Sequence, residues 1–132
     1  MTNILCTYHG DGQTSLKHSD NNVEIWTDLP TDNGGKGRHF SPTDLFASSL
    51  AACSLTIMGK MAESQGKSIA GTTVDVEKQM AANPRRVAKI VVKFTFPVTV
   101  EPEDRKKYLA TVNICPVHNS LGKDVELELT SN

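Results

Sequence analysis

The sequence predicts an α+β fold, and three observations carry that prediction. Short segments with strand character open the chain, a long helical stretch follows at residues 41–66, and strands and helices are mixed after it. The resulting order, βββ-α-ββ-αα-β, lacks the strict alternation of strand and helix that builds a parallel α/β sheet. At 132 residues the chain is long enough for one core, so we predict a single domain over residues 1–132.

Three short strands are predicted at residues 3–8, 13–18 and 23–27. The turn HGDG separates the first two, and DNN separates the second from the third. They are expected to pair as an antiparallel meander within residues 1–39. The segment DLPTDNGGKGRH at residues 28–39 is rich in turn-forming residues, and a loop of this length is usually functional or mobile.

The long helical stretch runs from Ser41 to Gly66. Ser41 is a good N-cap, Pro42 suits the first helical position, and Asp44 follows Ser41 at the spacing of an acidic capping box. Apolar side chains recur at helical spacing, namely Phe46, Leu50, Cys53, Ile57 and Met61. Because apolar residues also cover much of the remaining circumference, we expect this helix to be central in the structure.

The C-terminal part, residues 67–132, is predicted to follow the order ββααβ. Residues 69–78 and 87–98 have strand character, and the second of them is rich in β-branched and aromatic residues. Two helical segments and a last strand follow, at residues 102–112, 115–121 and 125–130.

Composition and charge narrow the class of protein. Lys and Arg number 14 against 15 Asp and Glu, and a net charge of −1 gives no electrostatic reason to expect nucleic acid or an anionic membrane as partner. No window looks long and apolar enough to cross a bilayer, and the N-terminus lacks the pattern of a signal peptide. We therefore expect a cytoplasmic protein. Its three cysteines are then unsuited to structural disulfides, so any pairing would serve redox chemistry.

Two of the cysteines carry the candidate chemistry. Cys53 lies within the helix, where a cysteine is most often a small buried hydrophobe. Cys115 precedes Pro116 and is a candidate N-cap whose sulfur would face unpaired backbone N–H groups, a setting that favours the thiolate. An ordinary cap and a metal site are the alternatives, since Cys115 and His118 have CxxH spacing. No second paired motif completes such a site, so neither a metal nor a cofactor is expected.

Together, the two cysteine motifs resemble those of the OsmC/Ohr family, the osmotically inducible and organic-hydroperoxide-resistance proteins. FSPTDLFASSLAAC at residues 40–53 is similar to the family's helix-borne cysteine motif, and CPVH at residues 115–118 is similar to its second one. The stretches TDLPTDNGGKG and KQMAANPRRVAKIVV agree as well, so the resemblance covers nearly the whole chain.

The resemblance implies an OsmC-like fold, with antiparallel sheets around a long central helix, and an intertwined homodimer with its active sites at the subunit interface. It also implies a thiol-dependent peroxidase that reduces organic hydroperoxides or hydrogen peroxide in oxidative-stress defence. Cys53 would be the peroxidatic residue and Cys115 the resolving residue, joined in a disulfide that a dithiol reductant reopens.

The sequence departs from the family pattern at the groups that activate the first cysteine. In the hydroperoxide-resistance subgroup these are an arginine and a glutamate, whose positions fall near Gly12 and on Thr43 here. We expect other side chains to tune the pKa of Cys53, with His18 and Arg38 preferred over Lys17 and His39 as the cation, and with Asp44 and His118 as further candidates. Each of these side chains could equally be a solvated surface residue.

The same departure favours a second hypothesis, a non-catalytic OsmC-fold dimer that binds a small ligand in its interfacial pocket. The third cysteine, Cys6, matches no motif and is interpreted as a structural strand residue.

Overall fold

The computed structural model describes residues 1–132, and its elements follow the predicted order. The chain forms two compact units, residues 1–45 and residues 46–132. The single domain over residues 1–132 stays a prediction.

The first unit contains an antiparallel meander, as the sequence predicts. Its strands are β1 (Ile4–Gly10), β2 (Gln13–His18) and β3 (Glu24–Thr27), paired in the order β1-β2-β3. A tight turn joins the first two strands, and Asp11 within it adopts a left-handed backbone conformation with φ of 55°. The meander ends with β3 at Thr27, and the loop of residues 28–41 follows it.

That loop is folded tightly around Leu29. The Leu29 N–H donates to the Gly12 carbonyl at 3.0 Å, and the Gly37 N–H donates to the Leu29 carbonyl at 3.1 Å. A Cβ atom at Gly35 would lie 2.0 Å from the Leu29 oxygen, so only glycine fits there. A short 3₁₀ helix, Thr31–Asn33, lies between these contacts.

Helix α1 spans Pro42–Ser64, and both of its predicted ends are confirmed. The Asp44 N–H donates to Ser41 Oγ at 3.1 Å, and the Ser41 N–H donates back to Asp44 Oδ2 at 2.9 Å, which is a reciprocal capping box. At the other end Gly66 has a φ of 68°, and the Lys67 N–H closes the helix on the Ala62 carbonyl at 2.9 Å.

The second unit contains a mixed sheet and two further helices. Its strands are β4 (Thr73–Ala81), β5 (Arg86–Thr95) and β6 (Glu126–Ser131), in the order β4-β5-β6. Helix α2 (Pro102–Ala110), a 3₁₀ turn at Thr111–Ile114 and helix α3 (Pro116–Ser120) connect the last two strands.

The expectation of purely antiparallel sheets is wrong for β6. Strands β4 and β5 are antiparallel, but β5 and β6 are parallel, with Ile90 opposite Leu127. The reason lies in the connection, because a helical crossover returns the chain in its original direction, whereas a hairpin reverses it.

The hydrophobic core of the second unit brings α1 and β5 side chains into one cluster. Leu50 and Met58 from α1 and Ile90 and Phe94 from β5 are all fully buried in it. Alternate residues of β5 therefore face the core, as the period-2 pattern of that segment predicts. Cys115 belongs to the same cluster.

Helix α1 also corrects the expectation that no window could cross a bilayer. The helix is long and apolar enough to cross a bilayer, because its most apolar stretch has a mean hydropathy of 1.4. Of that stretch, 33% is buried. Core helices of globular proteins pass the same test, so this single helix is weak evidence for a membrane span. It does show that the chain itself buries only part of this apolar helix completely.

Candidate functional site

The structure brings Cys53 and Cys115 together in the second unit. Both are free thiols, and the Cys53 sulfur lies within hydrogen-bonding contact of the Cys115 side chain. Their exposure differs, because Cys53 is partly exposed on α1 whereas Cys115 is fully buried. The pair thus combines a partly exposed cysteine with a fully buried one that contacts it.

Cys115 is positioned by the start of α3. It is the N-cap residue, with an extended backbone (φ −64°, ψ 124°), and its carbonyl accepts the Asn119 N–H at 3.0 Å. Pro116 fills the first helical position, as the sequence predicts. However, the Cys115 side chain makes no capping bond, so the interpretation as an ordinary cap is confirmed, and the interpretation in which its sulfur faces the N–H groups of this helix is wrong.

The free N–H of this turn is used by the other cysteine. The backbone N–H of Val117 donates to the sulfur of Cys53. The short turn that follows Cys115 therefore supplies Cys53 with the donor that favours its thiolate.

Burial nevertheless dominates the electrostatics of Cys53. Loss of solvation raises the pKa of the Cys53 thiol, the hydrogen bond with Cys115 raises it further, and the Val117 N–H opposes both effects. In the single chain the sum favours the thiol. A group that activates Cys53 must therefore offset a desolvation cost as well as supply charge.

Exposed apolar side chains neighbour both cysteines in the sequence. Phe46 precedes Cys53 by two helical turns on the same face and is 43% exposed. Ile114 directly precedes Cys115 and is 66% exposed.

Arg38, one of the two preferred cations, is held by carboxylates within the first unit. Its Nε donates to Asp28 Oδ2 at 2.6 Å, and its Nη1 donates to Asp11 Oδ2 at 3.0 Å. The Asp28 side chain is fully buried, and its hydrogen bonds with the Arg38 guanidinium hold the pKa of its carboxyl well below the usual range. Lys36 pairs with Asp11 as well, at 2.9 Å. The guanidinium thus clamps the loop of residues 28–41 to the β1–β2 turn.

The other predicted tuning residues have defined local contacts. Nδ1 of His18 accepts the Asp20 N–H at 3.1 Å in the turn after β2, and Asp44 forms the capping box of α1. His39 lies near Trp26, with ring centroids 6.3 Å apart. Nδ1 of His118 is buried and has no hydrogen-bond partner. The assignment of His18, Arg38, Asp44 and His118 to tuning the pKa of Cys53 stays a prediction.

Two groups escaped the sequence reasoning. The Val117 N–H was not recognised as a donor to Cys53, although the Cys-Pro cap motif already indicated free N–H groups at that turn. No local sequence pattern marks Asp28, because its partner Arg38 lies ten residues away in an irregular loop. No group of three or more His, Cys, Asp or Glu side chains is placed to hold a metal ion.

Comparisons with known proteins agree with the predicted family. A family model described as OsmC-like protein matches residues 34–130. A crystal structure from Psychrobacter arcticus 273-4, of a protein provisionally assigned to osmotic stress induction and detoxification response, is 45% identical over 100% of this chain and 96% of its own, with a TM-score of 0.94. No match was found among proteins of curated function.

Two more distant structures support the fold alone. An organic hydroperoxide resistance protein OsmC from Legionella pneumophila is 20% identical over 98% of this chain and 96% of its own, with a TM-score of 0.75. An OsmC like protein from Mycoplasma pneumoniae is also 20% identical, over 100% of this chain and 96% of its own, with a TM-score of 0.83.

Proposed function

The chain belongs to the OsmC-like protein family, and from that premise we propose that it is a thiol-dependent peroxidase that reduces organic hydroperoxides or hydrogen peroxide. Cys53 is the peroxidatic residue and Cys115 the resolving residue. The observation that carries the proposal is the contact between a partly exposed and a fully buried thiol, with no residue between them. The substrate class is the one that membership of this family suggests.

The reaction proceeds through three balanced steps. The Cys53 thiolate attacks one peroxide oxygen, an S–O bond forms as the O–O bond breaks, and the alcohol or water leaves. The Cys115 thiol then attacks the Cys53 sulfenic acid, which forms the S–S bond and releases water. A dithiol reductant finally reopens the disulfide by exchange and is itself oxidised by two electrons.

The contacts within the single chain supply only part of what would activate the Cys53 thiol. Burial raises the pKa of its thiol, so at neutral pH the thiolate fraction is smaller than the few per cent of an ordinary cysteine. The Val117 N–H supplies one stabilising contact. We assign the missing positive charge to His18 or Arg38, of this chain or of its partner copy, with Asp44 and His118 as further tuning residues that act through hydrogen bonds.

The proposal includes a homodimer. The first unit buries none of its large apolar side chains, and its sheet leaves apolar residues exposed on β1 and β3, among them Ile4, Leu5, Tyr8 and Ile25. Exposed apolar surface on this scale is typical of an interaction site. Two thirds of the most apolar stretch of α1 is likewise not fully buried. A second copy of the chain would cover part of both surfaces.

The expected setting is the cytoplasm, without nucleic acid or a membrane as partner. A reducing compartment suits a protein whose cysteines must return to the thiol state in every cycle. There the protein would serve oxidative-stress defence, with the hydroperoxide and the dithiol reductant as its small-molecule partners.

A steady-state assay of peroxide consumption tests the proposal. With a dithiol reductant present, wild-type protein is expected to consume cumene hydroperoxide catalytically, and Cys53→Ser is expected to lose this activity. Cys6→Ser is the matched control, because it removes an exposed thiol in β1 that has no role in the mechanism. Activity that survives in Cys53→Ser would refute the assignment.

One observation favours the second candidate, a non-catalytic dimer that binds a small ligand. The raised pKa of Cys53 is the opposite of what a peroxidatic cysteine needs. If wild-type protein and Cys53→Ser both leave the peroxide unconsumed in that assay, the binding function replaces the peroxidase as our conclusion.

A further inference from the structure

The two sulfurs of the proposed disulfide differ sharply in access. Cys115 has 0% of its surface exposed and belongs to the hydrophobic core cluster, whereas Cys53 is partly exposed on the surface of α1. Thiol–disulfide exchange requires a thiolate to approach one particular sulfur of the bond, so the two sulfurs are unequal targets.

We propose that the reductant attacks the sulfur of Cys53, so that the mixed disulfide forms on the peroxidatic cysteine and Cys115 is the leaving group. The proposal rests on the proposed function, because it describes how that catalytic cycle closes. Cys53 is then the only residue that meets outside reactants. It reacts first with the peroxide and later with the thiol, while Cys115 acts from within the core.

The exchange takes place in two steps. The reductant thiolate forms an S–S bond to Cys53 as the Cys53–Cys115 bond breaks, and the electron pair leaves on Cys115, which takes up a proton. The second thiolate of the reductant then attacks its own sulfur in the mixed disulfide, so Cys53 leaves as a thiolate. The reductant ends as a disulfide, and both protein cysteines are reduced.

The contacts around the pair leave no equivalent route to Cys115. Its side chain is fully buried in contact with Cys53, and its backbone is fixed as the N-cap of α3 by the 3.0 Å bond from the Asn119 N–H. A reductant that attacked Cys115 first would have to open the core cluster that includes Cys115. Attack on Cys53 needs no such opening.

Trapping the mixed disulfide tests the proposal. The protein carries Cys6→Ser, which removes the third, exposed thiol, and the disulfide is made with diamide rather than with peroxide. A pulse of the monothiol glutathione is quenched with acid at several times, and the adduct is located by peptide mapping. We expect at least ten adducts on Cys53 for each one on Cys115. Adducts that are equally divided, or that lie mainly on Cys115, would overturn the proposal.

A second measurement gives an answer even if the trapped adduct is too short-lived to map. Two variants are made in the Cys6→Ser background: Cys115→Ser, which leaves only the Cys53 thiol, and Cys53→Ser, which leaves only the Cys115 thiol. In folded protein, the rate at which each remaining thiol reacts with 5,5′-dithiobis(2-nitrobenzoic acid) is measured. Cys53 is expected to react at least tenfold faster. Equal rates, or a faster Cys115, contradict the proposal. Because diamide replaces peroxide, failure here is distinct from failure of the peroxidase assay.

Discussion

Removal of the capping hydroxyl at Ser41 is predicted to destabilise α1 measurably. Ser41→Ala deletes the oxygen that accepts the Asp44 N–H at 3.1 Å, at a position that is 1% exposed, so water has little access to replace it. The loss of such a cap costs about 1 kcal/mol, within a range of roughly 0.5–2 kcal/mol. For a chain of 132 residues this corresponds to a fall in Tm of roughly 3–5 °C.

Thermal unfolding followed by circular dichroism measures this effect, and Ser64→Ala is the matched control. Ser64 is in the last turn of the same helix, is exposed, and bonds only to the Met61 carbonyl through its hydroxyl. It undergoes the same chemical change without loss of a cap, so its Tm should stay near the wild-type value. If Ser41→Ala unfolds no earlier than Ser64→Ala, the argument that the capping box fixes the start of α1 is wrong.

Two further predictions concern ionisation. Burial and Cys115 raise the pKa of Cys53 in the single chain, and the proposed peroxidase needs a tuning group to offset that rise, so alkylation of Cys53 by iodoacetamide in the Cys6→Ser background should reach half of its maximal rate below pH about 8.5, the value for a free cysteine; a midpoint above that pH contradicts the activation and favours the binding function. Because Arg38 lowers the pKa of Asp28, this pair stabilises the folded state above pH about 4, the usual carboxyl value, and its contribution is lost as the pH falls further. Arg38→Ala should therefore lower the urea midpoint at pH 7 by more than Lys36→Ala does, because the ion pair of Lys36 is exposed. The difference in urea midpoint between Arg38→Ala and wild type should shrink below pH about 4. A difference that is constant down to pH 2 would contradict this assignment.

Local patterns in the sequence predicted the parts of the fold that local physics determines. Ser41 and Asp44 predicted the start of α1 because a capping box involves only neighbouring residues. Gly66 predicted its end because the left-handed conformation is strained for residues with a side chain. The alternation of apolar side chains in β5 predicted which face of the strand packs on the core, because successive residues of a strand point to opposite faces.

Features that depend on distant parts of the chain were missed or left open. The parallel pairing of β6 follows from where the crossover lays the last strand, and the alternation of VELELT is the same for either direction. The donation of the Val117 N–H to Cys53 joins residues far apart in sequence, so the cap motif alone assigned that donor to Cys115. The partner of Arg38 was equally invisible, because Asp28 and Arg38 meet only through the folding of an irregular loop.

The central claim is that Cys53 and Cys115 form one redox pair, and intact-mass analysis tests it most directly. Fully reduced protein is treated with one equivalent of cumene hydroperoxide and then analysed by peptide mapping. The account predicts a loss of two hydrogens that maps to a Cys53–Cys115 link, with Cys6 unmodified. Protein that keeps both thiols unmodified, or that accumulates oxygen on Cys53 without forming the link, would contradict it.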